Sequence, residues 1–259
     1  MGATLTVRGT LFGPAEPVVL MWDGLKGRRL TTTTTTSDGS FIVRVRAPES
    51  VFGPHTVLAV DQRSGGRARA TFTVHAQAWL LRRSGPPGSV NAVSATGFGA
   101  HETVALYWTT SAPRGRAGRF LLARGTTNAR GSLAGVTILS FTVPVRPAGG
   151  AAIVALGARS GAMALTTFTL VPTMHINPLR GPASALVTIG GAGFRAGASL
   201  AIAWNCASRA CAGPVLGKGR AGKAGTFSLA VLIPAAARAG VHTVGAVSGW
   251  LGRWASPGS

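Results

Sequence analysis

Cys206 and Cys211 stand five apart in Asn205-Cys-Ala-Ser-Arg-Ala-Cys-Ala-Gly213, and the 259-residue chain has no other cysteine. The pair has three readings. A local disulfide needs Cα atoms within roughly 4.4–6.8 Å, which a tight loop supplies. Two free thiols are the second. Half of a zinc site is the third, but it needs two further ligands and none is near in sequence. The disulfide is the expectation, and it implies an oxidising compartment. Carboxylates are scarce: Glu16, Asp23, Asp38, Glu49, Asp61 and Glu102 are all there are, and none follows residue 102. The last 157 residues therefore cannot assemble a carboxylate pair or a Ser-His-Asp triad. The five histidines do not fall at metal-ligand spacing, and His55 and His242 occupy equivalent places in a repeat, where a structural role at a strand start suffices. No catalytic residue, cofactor site or metal site is expected.

The cations are abundant. Twenty-six Lys and Arg against six Asp and Glu give a net charge of +20. The balance is +4 over residues 1–75, +8 over 76–171 and +8 over 172–259. Arg114, Arg116, Arg119, Arg124 and Arg130 fall in what reads as a long loop, and Lys218, Arg220 and Lys223 fall in the corresponding loop further on. Glycines between them (Arg114-Gly-Arg116, Lys218-Gly-Arg220) predict mobile, solvated segments. One reading is attraction to a polyanion: nucleic acid, teichoic acid, an acidic polysaccharide or an anionic membrane surface. The other is arginine as the default surface residue of a biased composition, since 23 of the 26 cations are Arg. No nucleic-acid motif accompanies the charge. Tyr107 is the only tyrosine, so the interleaved aromatics of a single-strand binder are missing.

The elements that position these residues come in three copies. Phe12 and Trp22 are ten apart, as are Phe98 and Trp108, and Phe194 and Trp204; the copies are offset by 86 and 96 residues. Those periods are domain-sized, too long for a solenoid repeat. Each tryptophan ends an apolar run: Val18-Val-Leu-Met-Trp22, Val104-Ala-Leu-Tyr-Trp108, Leu200-Ala-Ile-Ala-Trp204. Turn-to-strand signals follow at Asp38-Gly-Ser-Phe41, Arg130-Gly-Ser-Leu133 and Ala224-Gly-Thr-Phe227. Next come Gly53-Pro-His-Thr-Val57 and Gly240-Val-His-Thr-Val244, with a looser Gly149-Gly-Ala-Ala-Ile153 between them. Thr71-Phe-Thr-Val74 and Thr167-Phe-Thr-Leu170 close the first two copies.

The apolar pattern has period two, with Phe41, Val43 and Val45 alternating with Ile42, Arg44 and Arg46, as in strands with one buried face. About seven short strands per unit of roughly 90 residues imply tandem immunoglobulin-like β-sandwiches, an all-β class. The expected division is 1–75 without its first strand, 76–171 complete, and 172–259 without its last strand. In this fold Phe12, Trp22, Phe98, Trp108, Phe194 and Trp204 are core residues. A sugar-stacking role for the tryptophans is disfavoured because they end apolar runs. The Thr31–Thr36 run fits a half-wet strand and equally a glycosylated one.

The order Gly-Phe, apolar strand ending in Trp, Gly-Ser-Phe, Gly-x-His-Thr-Val, Phe-Thr-Val resembles bacterial immunoglobulin-like repeats of the IPT/TIG type over nearly the whole chain. The resemblance implies a non-catalytic spacer or adhesive module of a cell-surface or secreted protein, with neighbouring domains as partners. The alternatives are a polyanion-binding module and an accessory region of a larger extracellular enzyme. No basic-plus-apolar signal segment opens the chain, and no apolar run approaches a membrane span. An extracellular or cell-surface location, with the leader lost from a fragment, is the expectation.

Overall fold

Three Phe-to-Trp segments of like sequence fold into three like pieces of β-sandwich. The computed structural model describes residues 2–110, 118–207 and 210–248. The first piece contains β1 (Thr4–Gly9), β2 (Pro17–Trp22), β3 (Arg28–Thr34), β4 (Phe41–Arg46), β5 (Gly53–Asp61) and β6 (Arg67–Val74). β1 pairs with β4, and the facing sheet runs β3-β2-β5-β6.

The second piece contains β7 (Gln77–Leu80), β8 (Ser84–Gly85), β9 (Val90–Thr96), β10 (Thr103–Thr110), β11 (Gly118–Thr126), β12 (Leu139–Thr142), β13 (Gly149–Gly157) and β14 (Met163–Leu170). Its sheets run β12-β9-β7 and β11-β10-β13-β14-β8. The opening stretch is divided between them: β7 lies antiparallel to β9, whereas β8 lies parallel to β14.

The third piece contains β15 (Thr173–Asn177), β16 (Leu186–Ala192), β17 (Ser199–Trp204), the small hairpin β18 (Cys206–Ala207) and β19 (Ala210–Cys211), β20 (Val215–Arg220), β21 (Phe227–Leu232) and β22 (Val244–Ser248). Its sheets run β15-β16-β21 and β20-β17-β22. The chain is thus all-β, built of tandem immunoglobulin-like sandwiches. Among the described residues, β1 has no counterpart of β7 beside it, and β22 has no counterpart of β14.

Alternation drives the packing. β2 reads Pro-Val-Val-Leu-Met-Trp with Val18, Leu20 and Trp22 buried and the residues between them half-buried. The equivalent triplets are Val104, Leu106, Trp108 and Leu200, Ile202, Trp204, all buried. Each such aliphatic side chain contributes roughly 1.5–3 kcal/mol on burial. The register is conserved between pieces: Trp22 stands opposite Val57, Trp108 opposite Ile153, and Trp204 opposite Val244. Sixteen buried residues of the middle piece form one continuous cluster, whereas the cores of the outer two are each split in two.

Candidate functional site

A strand downstream of each tryptophan strand (β3, β11, and β20 beyond the β18–β19 hairpin) pairs with it and forms one edge of its sheet. All three carry the same irregularity. The pairing skips one residue between Leu20 and Met21, between Leu106 and Tyr107, and between Ile202 and Ala203, positions that are equivalent in the repeat. The skipped residues are Leu30, Leu122 and Leu216, each half-buried against the core. A bulge puts two residues against one and sharpens the local twist. Here it turns a leucine inward and leaves the flanking cations outward. Sequence reading anticipated a strand at Thr31–Thr36 but missed β11 and β20, although a leucine between Leu121 and Ala123 and between Val215 and Gly217 was their signal.

Of the expected Arg114–Arg130 loop, residues Gly118–Thr126 therefore form strand β11. Arg119 and Arg124 lie exposed on β11, and Lys218 and Arg220 lie exposed on β20, alternating with half-buried glycines. The apolar Phe120-Leu-Leu-Ala123 stretch and the pairing with β10 order residues 118–126. The guanidinium of Arg119 sits 3.5 Å from the centre of the Tyr107 ring. Arg130 and Lys223 occupy turns, and Arg130 makes an exposed 3.8 Å ion pair with Glu49. Arg114 and Arg116 lie outside the described residues. Arg28 and Arg29 on β3 hold the same edge in the first piece. Charges on an edge strand discourage sheet-to-sheet pairing.

The carboxylates are used up in turns. Glu102 is buried and accepts the N–H groups of Arg159 (3.0 Å) and Ser160 (2.9 Å), the Ser160 hydroxyl (2.6 Å) and the Gly99 N–H. Burial pushes its pKa up, but the Ser160, Gly99 and Arg159 donors together hold it below the usual value. Asp61 accepts from the Gly13, Arg63 and Ser64 N–H groups, and its pKa is held at about 2, first by the carboxyl of Glu16 and then by those donors. Hydroxyls of Thr36 and Ser40 lower Asp38. Among the described residues no group of three or more His, Cys, Asp or Glu is placed to hold a metal ion.

Beyond each outer tryptophan the chain turns through a left-handed residue, Asp23 (φ 59°) or Asn205 (φ 52°), whose side chain meets a histidine. His55 Nδ1 lies 2.9 Å from the Asp23 carboxylate and Nε2 2.9 Å from the Val51 carbonyl. His242 repeats this with the Asn205 side chain at 3.0 Å and the Arg238 carbonyl at 2.8 Å. Each ring stacks on its tryptophan, at 5.0 Å on Trp22 and 4.7 Å on Trp204. Next to this unit in the third piece, Cys206 and Cys211 face each other across β18 and β19 and are joined by a disulfide.

The joints between pieces also repeat. The Phe52 N–H donates to the Phe98 carbonyl at 3.0 Å, and the Ala148 N–H donates to the Phe194 carbonyl at 3.0 Å. Donor and acceptor are 46 residues apart in both. The same phenylalanines are fixed from behind: Phe98 N–H donates to Gly131 and Phe194 N–H to Gly225. Gly97 and Gly193, with φ of 74° and 80°, press on the linkers; a Cβ there would lie 2.5 Å from the His75 oxygen or 2.8 Å from Leu170 Cδ2. A cleft of about 520 Å3 lies at the first joint, lined by residues of both pieces, among them Ala47, Glu49, Phe72, Gln77 and Thr96.

No protein-family model and no curated protein sequence matches the chain. Among solved structures it is similar to Salmonella alpha-2-macroglobulin reacted with methylamine, at 12% identity and a TM-score of 0.26, covering 94% of this chain and 23% of that one. It is similar to the BSP domain of a biofilm-associated protein at 9% identity and a TM-score of 0.27, covering 95% of this chain and 63% of that one. Invasin, a bacterial integrin-binding protein, matches at 10% identity and a TM-score of 0.22, covering 94% and 56%. The chain thus spans under a quarter of the first of these and under two thirds of the other two. At such TM-scores the fold assignment rests on the chain's own strand pairing.

Proposed function

We propose that the chain is a non-catalytic spacer with an adhesive role in a bacterial cell-surface or secreted protein, its units being sandwiches of the IPT/TIG kind over residues 1–75, 76–171 and 172–259. The observation that carries this reading is the repeated joint. One hydrogen bond, donated by the residue before Gly53 or Gly149 to the Phe98 or Phe194 carbonyl, sets both unit-to-unit contacts. A glycine held against the linker restricts the hinge at each. A chain that fixes neighbouring units in one way twice transmits position and load along its length. The Cys206–Cys211 disulfide supports an oxidising location. No helix among the described residues is long and apolar enough to cross a membrane.

NMR relaxation on the full chain tests the spacer: units joined in this way tumble as one body, and three independent correlation times would refute it. Surface labelling of intact cells with a membrane-impermeant reagent tests location. A second reading has its own observation, the exposed cations on all three edge strands β3, β11 and β20. Under it, heparin retention falls steeply with salt, since phosphate or sulfate contacts release counterions. Retention that is negligible at low salt removes it.

A further inference from the structure

His55 sets both of its ring nitrogens against acceptors. Nδ1 lies 3.1 and 2.9 Å from the two carboxylate oxygens of Asp23, and Nε2 lies 2.9 Å from the Val51 carbonyl oxygen. A neutral imidazole has one N–H and one lone pair, so it donates to one of these acceptors and presents a lone pair to the other. The doubly protonated ring donates to both. The side chain is buried, so a lost donor is not simply replaced by bulk water. Of the groups packed against the ring, Asp23 from the turn after β2 carries charge, whereas Trp22, stacked at 5.0 Å, and Phe72, opposite on β6, do not.

The peptide held by Nε2 is also the peptide that makes the first joint. Its carbonyl, on Val51, accepts from His55, and its N–H, on Phe52, donates to the Phe98 carbonyl at 3.0 Å. Asp23, the ring, this peptide and Phe98 thus form one hydrogen-bonded chain from the first unit into the second, in which each bond polarises the next. The second joint lacks the start of that chain. Pro147 is the equivalent of Val51 and Ala151 of His55, although Ala148 still donates to Phe194. In the third unit His242 holds the Arg238 carbonyl in the same way, but its Nδ1 meets Asn205. An amide can turn its NH2 toward a neutral ring nitrogen, so His242 can hold its carbonyl without a charge. An ionised aspartate, being acceptor-only, cannot do this for His55.

We infer that His55 is a proton-controlled lock on the joint between the first two units. With both nitrogens protonated, the ring ties Asp23 to the Val51–Phe52 peptide and the peptide to Phe98. On losing a proton the ring keeps the one it shares with the carboxylate, and Nε2 turns a lone pair on the Val51 carbonyl. Repulsion then displaces the peptide and weakens its bond to Phe98. The joint is tight below the titration of the ring and looser above it, while the second joint is indifferent to it. Two other groups border the first joint: His75, whose ring lies 6.4 Å from that of Phe52, and the exposed pair of Glu49 and Arg130 at 3.8 Å. The lock rests on the spacer reading for its use, since it sets how stiffly one unit follows the next.

The test is an NMR titration of the full chain from about pH 5 to 8, the range in which imidazoles change charge. It follows the ring nitrogens of His55 and the exchange protection of the Phe52 and Ala148 amides, corrected for intrinsic exchange. The ring is expected to be doubly protonated at the acid end. As it loses a proton, Phe52 protection is expected to fall about fivefold or more with the same midpoint, and Ala148 protection to stay constant. Asp23→Asn, which copies Asn205, is expected to keep Phe52 protected throughout. His55→Ala, which copies Ala151, is expected to leave Phe52 weakly protected at every pH, and His75→Gln to retain the response. A ring that holds one charge state throughout, or one that titrates while Phe52 stays unchanged, would overturn the proposal. So would a response that survives Asp23→Asn or disappears in His75→Gln. Rotational diffusion across the second joint, which has no such ring, reads the spacer separately, so either conclusion can fail alone.

Discussion

Gly97→Ala tests the joint. The residue has φ of 74°, and a Cβ there would stand 2.5 Å from the His75 carbonyl oxygen and 3.2 Å from the Ala76 Cα. The left-handed backbone costs a non-glycine residue roughly 1–2 kcal/mol. Moving the linker away from the new methyl costs roughly 1–3 kcal/mol more, in the range of other overpacked sites. A loss of about 2–4 kcal/mol in the middle unit is therefore expected from urea unfolding, together with a changed small-angle scattering profile as the first joint opens. The first unit supplies the internal control. Leu11 is the equivalent of Gly97; it has φ of 64° and, among the described residues, is 97% exposed. Leu11→Gly relieves only backbone strain and is expected to be neutral or stabilising by up to about 1 kcal/mol, with the scattering profile unchanged. The reasoning fails if Gly97→Ala costs less than about 1 kcal/mol and leaves the scattering curve intact, because the linker would then not be pressing on residue 97.

Three further outcomes follow from the turn clamps and the disulfide. Glu102→Gln leaves up to four donors facing a neutral amide and is expected to destabilise the middle unit by about 3 kcal/mol in urea titrations. Asp38, Asp61 and Glu102 all have lowered pKa values in the folded chain, so the stability they contribute is complete above their unfolded values and is lost as pH falls through the folded ones. For Asp61 that window runs from about 3.8 down to about 2, and acid titration followed by circular dichroism should show progressive loss there, with Asp61→Asn flattening it. Replacing both Cys206 and Cys211 by alanine opens a ring of only six residues and is expected to cost no more than about 2 kcal/mol, measured as a shift in the urea midpoint.

The repeats, the period-two strands and the tandem sandwich architecture were all legible in the sequence, because each is written in local residue types. Asp38-Gly-Ser-Phe41 and its equivalents need a left-handed glycine followed by an apolar strand, and Gly39, Gly131 and Gly225 all have φ near 73°. Whereas the Thr31–Thr36 run marked part of β3, the bulges, and the edge strands β11 and β20, were not legible. Their leucines lie at different distances from the three tryptophans, and a bulge breaks the alternation that reveals a strand. Glycines interleaved with cations therefore read as loop, although pairing with β17 orders Gly217 and Gly219 between the cations of β20.

By itself the sequence determined the number and kind of units, the poverty in carboxylates and the excess of cations, since composition and short-range periodicity do not depend on tertiary contacts. Only the tertiary structure decided that Glu102 is reached by donors 57 and 58 residues away. It alone decided that Phe52 and Ala148 make the same bond across two joints, and that Phe72 packs on Trp22 and Phe168 on Trp108. Each depends on bringing together residues that are distant in the chain. Which donor reaches which acceptor is fixed by strand order and register, which no local pattern encodes.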